Sequence, residues 1–179
     1  QKKFEGQERI SQREYKQRES HYFQGRRFLL NITETEGAPK VILKSKKFIE
    51  LFVRPETTVE KRHEIMTEWY RVQLKKQIPE IIEKWEAILK VKVSDWQVKQ
   101  MKTKWGSCNI EKKRLWVNLE LAKKPEHCLE YIIVHEMVHL LERHHNERFL
   151  YYMDTYLPTW RQLKTELNKL PVSHADWSY

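Results

Sequence analysis

The sequence predicts an α+β fold: an antiparallel sheet packed against one buried helix, with further helices closing the other side. Three observations predict it. Runs rich in β-branched and aromatic residues fill residues 21–54 and 93–121. Apolar residues recur at helical spacing through residues 58–90. The segment 128–149 is apolar nearly all round its first half, the mark of a buried helix, yet it carries His135, Glu136 and His139.

In chain order, residues 1–20 are polar, lack apolar periodicity and read as a tail or a surface helix. Between residues 21 and 54, HYFQGRRFLLNITET, VILKS and KKFIELFVR are separated by EGAP and by Ser45 and Lys46, which predicts an antiparallel β-meander. Thr57 or Thr58 then caps a helical region over 58–90. One stripe in it is Ile65, Trp69, Val72 and Lys76; a second is Ile78, Ile81, Ile82, Trp85, Ile88 and Leu89. Pro79 is expected to kink the region or to open a second helix. Trp69 and Trp85 sit at helical spacing and read as core.

Residues 93–101 and 114–121 read as strands, with Gly106 as turn-former in the WGSC segment between them. Trp105 and Cys108 read as core, the latter as a small buried residue under the helix of segment 128–149. Pro125 and Glu126 are typical first-turn residues and open that helix, which is expected to stop near Leu141 or Glu142. Residues 146–156 and 159–170 make two more helices, with Phe149, Leu150 and Met153, then Trp160, Leu163 and Leu167, turned inward. Residues 171–179 read as a loose tail in which His174 is solvent-exposed. The division is thus one domain over 21–170 between two terminal tails.

Composition sets bounds on function. Lys and Arg number 34 against 25 Asp and Glu, a net charge of +9. Such a balance suits nucleic acid, a nucleotide, an acidic substrate or a membrane surface, but the charges are scattered, as on an ordinary basic surface. No apolar run approaches the roughly 20 residues of a spanning helix, and no signal peptide is visible. Two cysteines, Cys108 and Cys128, do not make a disulfide scaffold, so a reduced, cytoplasmic setting is expected.

The chemistry concentrates in HExxH, residues 135–139. Positions i and i+4 of a helix lie one above the other, so His135 and His139 can reach a single ion. Chance places only about 0.04 such patterns in a chain of this composition. Burying two imidazoles and a carboxylate among Tyr131, Ile132, Ile133, Val134, Met137 and Val138 is costly without strong partners, and a metal is the simplest one. Zn²⁺ in a catalytic site takes three protein ligands and leaves one position open. The third is expected from the polar run ERHHNER, which offers His144 and His145. Glu136, next to the first ligand, is placed to take the proton of an attacking water. Arg148, Tyr151 and Tyr152 follow closely and are candidates to polarise a substrate carbonyl or stabilise its oxyanion. Arg148 has the alternative of pairing with Glu142 or Asp154.

Three blocks, MKTKWGSC at 101–108, LWVN at 115–118 and HEMVH at 135–139 followed by His145, resemble the YgjP-like metallopeptidase family, a branch of the zincin-like proteins. The resemblance spans residues from about 22 to 170. It implies a zinc-dependent peptidase acting on a peptide or protein, with His135, His139 and His145 as ligands, Glu136 as general base and His144 as a neighbour. It also suggests that residues 114–120, with Trp116 and Asn118 as substrate contacts, form an edge strand that pairs with an extended peptide. An ordinary central hairpin is the alternative for those residues. Three rival functions remain at this level. Nucleoside triphosphate pyrophosphatase activity lacks a Gly-rich phosphate loop or a carboxylate cluster for Mg²⁺. A DNA-associated protease of the SprT or Spartan kind lacks a zinc finger or basic arm. A metal-stabilised binding module leaves Glu136 without a purpose, because structural zinc is usually closed by four ligands.

Overall fold

The structure is a computed structural model and describes residues 12–169. Its architecture is α+β, with two small sheets and four helices. The first sheet holds β1 (Ser20–Phe23), β2 (Arg26–Glu34), β3 (Lys40–Leu43) and β4 (Phe48–Val53) in the order β1-β2-β4-β3. It is not the expected meander. β2 and β4 pair in parallel, Leu30 opposite Ile49 and Ile32 opposite Leu51, while β1 and β3 are antiparallel at the edges. Burial explains the change. Leu30, Ile49, Leu51 and Val53 are fully buried, so the two most apolar strands take the centre. β3, largely exposed, goes outside.

The first β run is broken into a hairpin at Gln24 and Gly25, both at positive φ (49° and 77°), as a two-residue hairpin turn requires. A side chain at Gly25 would meet Pro125 Cγ at 2.7 Å. The turn is also tied down by Gln24 and Gly25 N–H groups donating to the carbonyls of Ala122 and Lys123. It thereby braces the start of the metal-site helix. Residues 12–19 are not all tail: Tyr15 is in the core, and its hydroxyl reaches His63 Nδ1. Residues 1–11 and 170–179, with His174, lie outside the described residues.

α1 (Val59–Leu89) is one helix of 31 residues that runs through Pro79. Thr58 caps it by accepting from the Lys61 N–H, and Lys90 ends it at φ 56°. Its buried face is Met66, Tyr70, Leu74 and Ile78, continuing through Ile81, Ile82, Trp85 and Leu89. The expected first stripe was one residue out of phase, and Val72 and Ile88 are exposed. Ile65 beside Met66, and Trp69 beside Tyr70, make either phase apolar, and only Leu74 decides between them. Trp69 still packs at the core margin, with its ring 4.9 Å from Phe23.

The second sheet runs β5-β7-β6, from β5 (Asp95–Lys99), β6 (Gly106–Asn109) and β7 (Arg114–Asn118). β7 is its central strand, parallel to β5 and antiparallel to β6, so residues 114–120 do not form an edge. The strand also stops early, because Asn118 turns inward. Its amide donates to the carbonyls of Met101 and Lys104 and its oxygen accepts from the Glu120 N–H. A 3₁₀ turn over Leu119–Lys123 follows. Gly106 is likewise not the turn-former. The turn lies at 110–113, where Lys113 has φ 50°. Gly106 sits in the edge strand β6, where an added Cβ would meet Ile132 Cγ2 at 2.8 Å and Glu136 Cγ at 3.1 Å. Close approach to the next helix is what requires glycine there.

That helix is α2 (Glu126–Val138), followed by α3 (Glu147–Tyr156) and α4 (Trp160–Lys169). Phe149, Met153, Trp160 and Leu167 are buried, whereas Leu150 is exposed. Among the described residues no helix is long and apolar enough to cross a membrane.

Candidate metal centre

From Cys128 on, α2 is covered on nearly every side. Cys128, Leu129 and every residue from Tyr131 to Val138 are buried, including His135 and Glu136. Only Glu130 in that stretch reaches outward, to Lys84 and the Trp85 indole. The helix ends three or four residues earlier than expected, at Val138, with His139 as its C-cap. The chain reverses there: Leu141 and Glu142 N–H groups both donate to the Val138 carbonyl. Asn146 caps α3 by accepting from the Phe149 N–H and donates to Glu142 Oε1, which fixes the loop that carries His145.

The reversal brings three imidazoles together. His145 Nε2 lies 3.1 Å from His135 Nε2 and 2.9 Å from His139 Nε2. Phe149 packs on all three rings, with centroids 4.8 to 4.9 Å away, as an apolar floor. His144 is exposed and outside this cluster, and its backbone N–H donates to Glu142 Oε1.

A metal fits this donor set. His139 Nδ1 donates to the Glu142 carbonyl at 3.1 Å, so its Nε2 carries a bare lone pair. His145 Nε2 has at most one hydrogen for two neighbouring nitrogens, and a cation satisfies all three lone pairs where a proton cannot. Burial also prepares the ligands. It holds the His135 imidazolium far down, to about 2, helped by the facing His139 and His145, and lowers His139 and His145 as well. All three are therefore neutral at pH 7, the form a metal binds.

Glu136 completes the group. It is 3% exposed, and its Oε2 has no hydrogen-bond partner among the described residues. Burial pushes its carboxyl up to about 8, against a smaller opposing pull from Lys104. Beside it opens a cavity of about 1020 Å³, walled by β6, Trp116, Lys104 and Arg143, with Glu136, His139 and His145 also on its lining.

The other candidates fall outside. Arg148 lies on the Tyr152 hydroxyl at 3.0 to 3.1 Å and 4.0 Å from Glu142, so pairing is its observed role. Tyr151 is 65% exposed. None of Arg148, Tyr151 and Tyr152 lines the cavity. Asn118 is fully buried, spends its side chain on the backbone and does not line the cavity. Trp116 does line the cavity. Trp105 is core. Cys108 is half-buried in the cavity wall rather than sealed under α2, its thiol pushed up to about 12 by burial and by Glu136. Lys104 and Arg143 escaped the sequence reading, because an isolated surface cation carries no pattern.

A family model described as YgjP-like, metallopeptidase domain, matches residues 1–170. The chain belongs to that family. This YgjP-like protein is accordingly a hydrolase of the zinc peptidase type, a class that works with a divalent metal, typically zinc. No curated protein matches it. Among solved structures, it is similar to the metallopeptidase zymogen abylysin of Pyrococcus abyssi, at 16% identity and a TM-score of 0.48, over 54% of this chain and 98% of that one. It is also similar to the metallopeptidase zymogen jannalysin of Methanocaldococcus jannaschii, at 24% identity and a TM-score of 0.46, over 51% and 87%.

Proposed function

We propose that this YgjP-like protein hydrolyses peptide bonds, with His135, His139 and His145 holding Zn²⁺ and Glu136 as the general base. One observation carries the reading: three neutral imidazoles converge on one point beside a buried carboxylate oxygen that lacks a partner among the described residues. Zinc, when bound, supplies Lewis acidity to the scissile carbonyl and lowers the pKa of the attacking water. Glu136 Oε2 takes a proton from that water and passes it to the leaving nitrogen. The His139 Nδ1 contact to the Glu142 carbonyl orients one ligand. Phe149 and the apolar wall of α2 keep bulk water from the buried side of the site.

The edge-strand role passes from β7 to β6, which pairs with β7 on one side only and lines the cavity. An extended peptide added to β6 gains main-chain hydrogen bonds there, and Gly106 leaves room against Glu136. Both cysteines are free, which suits a reducing, cytoplasmic setting.

The test is Glu136→Gln beside His135→Ala. Glu136→Gln should keep about one zinc per chain and lose peptide hydrolysis by several orders of magnitude. His135→Ala should lose the metal. Full turnover in the first variant, or full zinc in the second, overturns the assignment.

A further inference from the structure

The cavity beside the imidazoles carries uncompensated positive charge. Elsewhere many cations are matched: Arg71, Lys84, Arg114, Lys123, Arg148 and Arg161 each lie within 4.0 Å of a carboxylate. Lys104 and Arg143, which line the cavity, form no ion pair among the described residues. Two more cations lie by neighbouring groups. Lys99 sits over the ring of Trp116, itself a wall residue, at 5.2 Å. Lys164 is close enough to bear electrostatically on His135 and His145. Against these stand two carboxylates on the lining. Glu136 is buried and reserved for the proton; Glu111 lies just past the C-terminal end of β6, away from Lys104, which precedes its start.

Two cations, Lys104 and Arg143, thus share the lining with one carboxylate, Glu111, that the proton transfer does not use. We propose that the site selects peptides carrying an Asp or Glu side chain within a residue or two of the cleaved bond, held by Lys104 and Arg143. This rests on the peptidase reading and deepens it. Arg143 offers a planar fork that accepts a carboxylate in bidentate fashion, whereas Lys104 is a point charge beside the general base. A bound peptide displaces water from the cavity, which strengthens both contacts over those of an open surface. A basic residue at the same position would meet like charge and be rejected.

The experiment uses the zinc-loaded full chain and matched peptides that differ only by Asp, Asn or Lys, scanned across positions flanking the cleaved bond. At one position kcat/KM should fall in the order Asp, Asn, Lys, with Asp over Asn by about tenfold, as two partly screened ion pairs give. That ratio should shrink at high ionic strength. In the double variant Lys104→Gln, Arg143→Gln the Asp-to-Asn ratio should drop towards one, and Arg143→Glu should favour the Lys peptide. Zinc content checks that each variant is still assembled, and the wild-type ratio and its salt dependence stand without any variant. Equal rates on all three peptides, or a preference that survives the double variant, overturns the charge selection alone. Cleavage of no peptide of any charge, or hydrolysis of a nucleoside triphosphate in their place, overturns the peptidase reading itself.

Discussion

α1 and α2 are both helices, and they keep their polar groups in opposite ways. α1 is 31 residues long and buries one face, so its charged residues stand in water at no cost. α2 is 13 residues long and from Cys128 on is buried on nearly all sides, so His135 and Glu136 must find partners inside the protein. His135 finds one in the converging imidazoles. Glu136 Oε2 finds none among the described residues. The difference teaches where chemistry sits: a long amphipathic helix supplies the scaffold, and a short helix without a wet face supplies the reactive groups.

Core substitution should break the comparison most sharply. Ile132, fully buried in α2, should cost about 2–5 kcal/mol when changed to Ala. Ile88, 40% exposed on α1, should cost less than about 0.5 kcal/mol. Urea unfolding of both variants reads the contrast directly, and equal costs would mean that α1 is more enclosed than its exposed face suggests.

A smaller effect sharpens the α2 side. Gly106→Ala forces a methyl against Ile132 Cγ2 and Glu136 Cγ, and overpacking of that kind costs roughly 1–3 kcal/mol. Because the clash is with Ile132, the double variant Gly106→Ala, Ile132→Ala should be less destabilised than the sum of its parts. Additive losses would show that β6 does not press on α2 at that point.

Much of this was legible in the chain, and the failures share a cause. HExxH and the apolar residues around it fixed α2, His135, Glu136 and His139, because buried polar residues at helical spacing leave few interpretations. His145 came from the family resemblance, since the loop register after α2 depends on Asn146 capping α3 and bonding Glu142. Strand order was not legible. Pairing partners depend on which strands are most deeply buried across the whole sheet, and local alternation says nothing of that. The resemblance suggested an edge strand for β7 and the hairpin alternative a central one, and it is central; Gly106 looked like a turn and is a close approach. Asn118 looked available to a substrate, and only the carbonyls of Met101 and Lys104 reveal that its amide is taken.

The smallest signal expected is a single proton. In the metal-free protein, burial holds the Glu136 carboxyl at about 8, above its ordinary 4.5. At pH 7 that is one unit below its titration, so Glu136 carries a proton. The three imidazoles, lowered by burial, carry no excess one. A divalent cation bound beside Glu136 favours its charged form and drives the proton out. Zinc binding at pH 7 should thus release about one proton, and the release should fade as pH rises through 8 and Glu136 is already ionised. Calorimetry of zinc binding in buffers of different ionisation enthalpy counts that proton. Glu136→Gln should remove it while leaving zinc bound. If the variant releases as much as the wild type, the proton comes from an imidazole or from water, and α2 does not hold its carboxylate in the neutral form that its burial implies.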